Sequence, residues 1–135
     1  MTHNDVQLWL DRYVAAWTTY DPAAIGELFS DDAEYRYHPW DEPIRGRAEI
    51  VSAWVAPEGD ASRRDEPGTW AAHYDAWAVE GDRATAMGES RYTNPDGSFK
   101  ALYYNLWALR FDEHGRCVDF VEYYMELPAR LHPAT

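Results

Sequence analysis

Glu122 interrupts an aromatic strand face. Side chains alternate through residues 116–126, and one face reads Val118, Phe120, Glu122, Tyr124. A carboxyl group set among rings loses solvation, which disfavours its ionised form and raises its pKa. Such a group can take up or release a proton near neutral pH. The competing reading is a structural ion pair, because charges on a core face are rare unless paired or used. Two more segments place polar groups at mid-face. Alternation in residues 83–93 groups Met87, Glu89 and Arg91, and in residues 98–111 it groups Tyr103, Asn105, Trp107, Leu109 and Phe111. Arg91 beside Glu89 has the geometry to grip a carboxylate or enolate; equally, Glu89, Arg91 and Glu122 form a charge network that fills a cavity floor. Asn105 on an inward face needs hydrogen-bond partners.

Tyr37-His38 closes a short strand. Histidine is the ordinary proton shuttle near neutrality, but a loop histidine stacked on Trp40 fits the same residues. The register leaves open which of Tyr37 and His38 points inward. Tyr13 lies on the buried side of a helix, where its hydroxyl either donates to a developing oxyanion or is a satisfied core group. Trp17, Trp54, Trp77, Tyr103 and Trp107 supply an apolar wall. Glu122, His38 and Tyr13 are the catalytic candidates. Tyr37, Trp17, Trp54, Glu89, Arg91, Tyr103, Asn105, Trp107 and Tyr124 are the ligand-binding ones.

Other chemistries find little support. The histidines at 3, 38, 73, 114 and 132 show no metal-binding spacing, so no metal is expected. No glycine-rich phosphate loop or nucleophile elbow occurs, and no cofactor is expected. Alternation places Cys117 on the strand face opposite Glu122.

The elements that position these residues are legible from periodicity. Residues 4–19 read as a helix, with Val6, Leu10, Tyr13, Val14 and Trp17 on one side. Asp21-Pro22 starts a second helix with a stripe of Ile25, Leu28 and Phe29. Residues 34–37 form a short strand, and residues 48–55 a third helix that buries Ile50, Val51 and Trp54. Residues 56–68 (APEGDASRRDEPG) read as a polar surface loop, with a lid as the other reading. Four long strands follow at 69–79, 83–93, 98–111 and 116–127, joined by Gly/Asn/Asp turns. Helices followed by a meander predict an α+β fold with helices on one face of a curved antiparallel sheet.

This order resembles the nuclear transport factor 2-like superfamily, SnoaL-like branch. The resemblance is carried by RYVAAWTTYDPAAIGELFSDDAEY (12–35), IRGRAEIVSAW (44–54) and LRFDEHGRCVDFVEYY (109–124), and it covers nearly the whole chain, residues 1–135, as a single domain. It implies a cone-shaped α+β barrel, a pocket between helices and concave sheet, and pairing as a homodimer through the convex face. The superfamily spans ketosteroid isomerases, polyketide cyclases, epoxide hydrolases, dehydratases and non-catalytic binders, so the fold does not fix the reaction. Against the isomerase pattern, the oxyanion-donating tyrosine falls on Tyr13. The aspartate base falls at Tyr37 or His38, and the second oxyanion donor near Trp107. Two of three roles are lost or changed, which argues against that activity. The same alignment places Glu89, Arg91 and Glu122 inward.

Bulk properties narrow the partners. The chain carries 46% hydrophobic residues, 16% aromatics and a net charge of −12. That describes an aromatic-rich globular protein unsuited to nucleic acid or anionic membranes. One cysteine, a polar start and no apolar run fit a cytoplasmic protein without a signal or membrane segment. Three functions stay open: a cofactor-free acid–base enzyme on a small hydrophobic or partly polar molecule, a binder without chemistry, and a structural dimer with a filled pocket.

Overall fold

The computed structural model describes residues 1–134. Helix α1 (His3–Thr19) opens on a capping box in which the Asp5 amide donates to Thr2 Oγ1 and the Thr2 amide donates to the Asp5 carboxylate. It buries Val6, Trp9, Leu10, Tyr13 and Ala16. Helix α2 (Pro22–Glu27) starts as expected, with Asp21 accepting from the Ala23 amide and Pro22 at the first position. It ends before Phe29, which opens strand β1 (Phe29–Arg36) instead. Pairing decides this boundary: Phe29 sits opposite Cys117, and its carbonyl accepts from two nitrogens of Arg47. A two-residue strand β2 (Ile44–Arg45) then precedes helix α3 (Arg47–Val55).

Strands β3 (Trp70–Glu80), β4 (Arg83–Thr93), β5 (Phe99–Phe111) and β6 (Cys117–Glu126) form the meander. The sheet order is β2-β1-β6-β5-β4-β3. All pairs are antiparallel except β1 with β6, which is parallel, so the sheet is mixed rather than wholly antiparallel. It curves around the helices without closing, and β3 is a free edge. Gln7 of α1 caps that edge: its amide donates to the Tyr74 carbonyl and accepts from the Ala76 amide.

The core lies between α1–α3 and the concave face. Trp107, Phe29, Phe111 and Phe120 are fully buried at its centre; each contributes on the order of 1.5–3 kcal/mol through burial. Trp107 packs on Tyr13, Tyr74 and Phe120. Room for that indole comes from β4, whose inward residues are Ala84, Ala86, Gly88 and Ser90. A Cβ on Gly88 would collide with the His73 carbonyl oxygen and the Tyr74 ring.

Alternation misassigns faces at three places. On β4 the inward parity belongs to the small residues, so Met87, Glu89 and Arg91 face outward. An irregularity between Ala76 and Ala78 turns Trp77 out, 66% exposed, and removes it from the apolar wall. A register shift at Val118 pairs Cys117 with inward Phe111, so the thiol is buried in the core rather than opposite Glu122.

Candidate functional site

A cavity of about 450 Å³ opens between the helices and the concave sheet. Its walls come from α1 (Tyr13, Trp17), α3 (Trp54), β1 and its end (Tyr35, Tyr37), β3 (Tyr74), β4 (Ser90, Tyr92), β5 (Tyr103, Asn105, Trp107) and β6 (Glu122, Tyr124). Glu122 is largely buried, and its two oxygens are unequal. Oε2 accepts from Asn105 Nδ2 at 2.6 Å and from Trp107 Nε1 at 2.8 Å. Oε1 has no hydrogen-bond partner among the described residues. Asn105 is held in turn, its Oδ1 accepting from Ser90 Oγ at 3.1 Å. Burial raises the Glu122 carboxyl above the ordinary glutamate range; the Trp107 and Asn105 N–H groups and the charge of His38 oppose that rise.

The phenols around it are kept neutral. Tyr13 and Tyr35 share a hydrogen bond of 2.6 Å between their hydroxyls. Burial raises both well above the usual tyrosine value. Burial likewise pushes Tyr37 up to about 12, with the negative charge of Glu122 adding to it. Tyr74 and Tyr92 shift upward for the same two reasons, the charge of Asp65 adding at Tyr92. The Trp54 indole N–H is buried without a hydrogen-bond partner among the described residues.

Residues 56–68 close one side of the mouth. Two short 3-10 turns, Pro57–Gly59 and Ala61–Arg63, fold the segment back on α1. Trp17 Nε1 donates to Asp65 Oδ2 at 2.9 Å, and the Asp65 amide donates to the Tyr20 hydroxyl at 2.8 Å. Pro57, Arg63 and Asp65 thereby join the cavity lining.

Most sequence-derived candidates converge here: Glu122, Tyr13, Tyr37, Trp17, Trp54, Tyr103, Asn105, Trp107 and Tyr124 all line the cavity. Three do not. Glu89 and Arg91 lie on the convex face, with the Arg91 guanidinium over the Phe99 ring. His38 turns away from the cavity, so Tyr37 is the inward group. Its Nδ1 contacts Asp41 Oδ2 at 2.8 Å, its Nε2 contacts the Tyr124 hydroxyl at 3.0 Å, and its ring stacks on Trp40. Sequence reading missed Tyr35, Tyr74, Ser90, Tyr92 and Asp65. The signal for Tyr35 was present, since it shares the parity of Tyr37 on one strand; Asp65 comes from a loop and left none. A wider concavity of about 930 Å³ lies on the convex face, bordered by Trp40, Met87, Tyr104, Leu106, Tyr123 and Met125. It is the larger of the two, and Asn105, Glu122 and Tyr124 border both; Tyr13, Tyr35, Ser90 and Trp107, which surround the Glu122 hydrogen bonds, line the inner cavity alone. Cys117 is no nucleophile: burial pushes its thiol up to about 12. Among the described residues, no group of three or more His, Cys, Asp or Glu side chains is arranged to hold a metal ion.

A family model described as "SnoaL-like domain" matches residues 10–120. The chain belongs to the SnoaL-like domain family. Its fold is the nuclear transport factor 2-like α+β cone, as in the structure titled "Structure of an M.tuberculosis LEH-like epoxide hydrolase". That structure superposes with a TM-score of 0.63 at 11% identity, over 91% of this chain and 84% of the other. The likeness fixes the architecture of this SnoaL-like domain. No functionally curated protein matches the sequence. No helix among the described residues is long and apolar enough to cross a membrane.

Proposed function

We propose that this SnoaL-like domain is a cofactor-independent acid–base enzyme acting on a small, largely hydrophobic molecule. The observation that carries this reading is Glu122: a largely buried carboxyl in the wall of an aromatic cavity, with one oxygen fixed by two N–H donors and the other without a hydrogen-bond partner among the described residues. The fixed oxygen sets the orientation, and the other takes the proton. That proton comes either from a carbon next to a carbonyl or from a water that attacks an electrophile such as an epoxide. The Tyr13–Tyr35 pair supplies one hydroxyl proton not used between the two rings, and it serves as donor to the oxygen that gains charge. A panel of small epoxides and enolisable ketones tests this. Wild-type turnover of any member should fall about 10²–10⁴-fold in Glu122→Gln. Turnover that survives the substitution contradicts the assignment.

Binding without turnover is the second reading, favoured by the placement of His38 outside the cavity and by the mutual satisfaction of Tyr13 and Tyr35. It predicts ligand retention with no product from any panel member. Under either reading the domain works as a homodimer through the convex face. Support comes from the exposed Tyr104 (46%), Leu106 (39%) and Met125 (76%) around the outer concavity. A cytoplasmic location suits the single free thiol.

A further inference from the structure

The inner cavity is rich in acceptors and ringed by electron-rich aromatics. Oε1 of Glu122 and Oδ1 of Asp65 both lack hydrogen-bond partners among the described residues, while the other oxygen of each is taken by an indole N–H. The two carboxylates act on the same rings, since charge on either one disfavours ionisation of Tyr37 and Tyr92. Two basic side chains border the cavity, both at its solvent edge. Arg63 is 60% exposed and pairs with Glu58 at 3.2 Å, and Lys100 is exposed. The inner wall therefore holds negative charge, neutral phenols and indoles, and no cation among the described residues.

We propose that the ligand is an organic cation, a small amine or quaternary ammonium with an apolar body, seated among the rings between Glu122 and Asp65. The proposal builds on the reading of this cavity as a ligand site and names the substrate class. Tyrosine and tryptophan faces attract a cation held within about 6 Å of the ring centre. A positive group beside Glu122 offsets the desolvation of its ionised form, which keeps the carboxylate available as a base. A neutral ligand leaves that cost in place, and an anion meets two carboxylates. The net charge of −12 draws cations toward the mouth.

Titration with phenyltrimethylammonium, its neutral isostere tert-butylbenzene, and benzoate tests the proposal, read by the fluorescence of the cavity tryptophans. At physiological salt the cation should bind at least about tenfold more tightly than the isostere, and benzoate should not bind. Glu122→Gln and Asp65→Asn should each reduce the preference several-fold and leave isostere binding in place. An isostere that binds as tightly as the cation overturns the cation assignment and leaves the cavity as a ligand site. Failure of all three probes overturns both. A preference that survives undiminished in the double variant overturns the roles of these two carboxylates. Turnover enters none of these outcomes, so the enzyme reading stands or falls separately.

Discussion

Glu122 combines a desolvated charge with two fixed donors, and these act in opposite directions on its ionisation. Because its folded pKa is raised, the folded state holds that proton to higher pH than the unfolded chain does. Stability from this group is therefore present at low pH and is lost as pH rises through the unfolded and then the folded value. Glu122→Gln, which keeps a carbonyl oxygen for Asn105 and Trp107, should raise Tm at pH 8 and lose that advantage by pH 4. Thermal melts across this range check it. Trp107→Phe keeps a ring on Tyr13 and Tyr74 but removes one N–H from Oε2. It should cost about 1–3 kcal/mol by denaturant titration at neutral pH and shift the carboxyl further upward. Glu122 was legible in the sequence because a single charge broke an apolar alternation. Its partners were not: Arg91 was the natural ion-pair candidate from residue type, whereas the actual donors are neutral groups on β5.

At the scale of elements, periodicity located the meander to within a residue or two, and the Gly/Asn/Asp turns fixed its connections. Which parity faced inward was harder to read. On β4, Glu89 and Arg91 read as inward groups on a cavity floor, but the sheet needs small residues there to seat Trp107 and Tyr74. That requirement lies on the neighbouring strands, so it cannot be seen in β4 alone. Bulges at Trp77 and Val118 invert parity within a strand for the same reason. The parallel pairing of β1 with β6 joins segments far apart in sequence and has no local signature. Two predictions follow from β4. Gly88→Ala should destabilise the fold by about 2–4 kcal/mol in chemical denaturation, because backbone of β3 must move. Glu89→Ala and Arg91→Ala should leave cavity binding of the aromatic probes unchanged, as both side chains sit on the other face.

At the scale of the whole molecule, the two faces of one sheet divide the work. The concave face and helices enclose the cavity, while the convex face carries apolar side chains that a second copy would cover. The proposed dimer predicts that wild type sediments as a dimer and that Leu106→Glu, on that face, shifts it to monomer in sedimentation velocity; a monomeric wild type contradicts the pairing. The family resemblance made the overall architecture and the side of the sheet bearing the cavity legible before the structure. The docked 56–68 segment, with Asp65 at the mouth, required the three-dimensional arrangement. Carbon-13 NMR titration of the glutamate side-chain carboxyls, with Glu122→Gln to assign one resonance, tests the central claim most directly. The resonance missing in the variant should titrate above the other glutamates, whose ordinary value is about 4.3. Titration of Glu122 together with the rest would contradict a poised, cavity-facing carboxyl and remove the basis for proton transfer at this site.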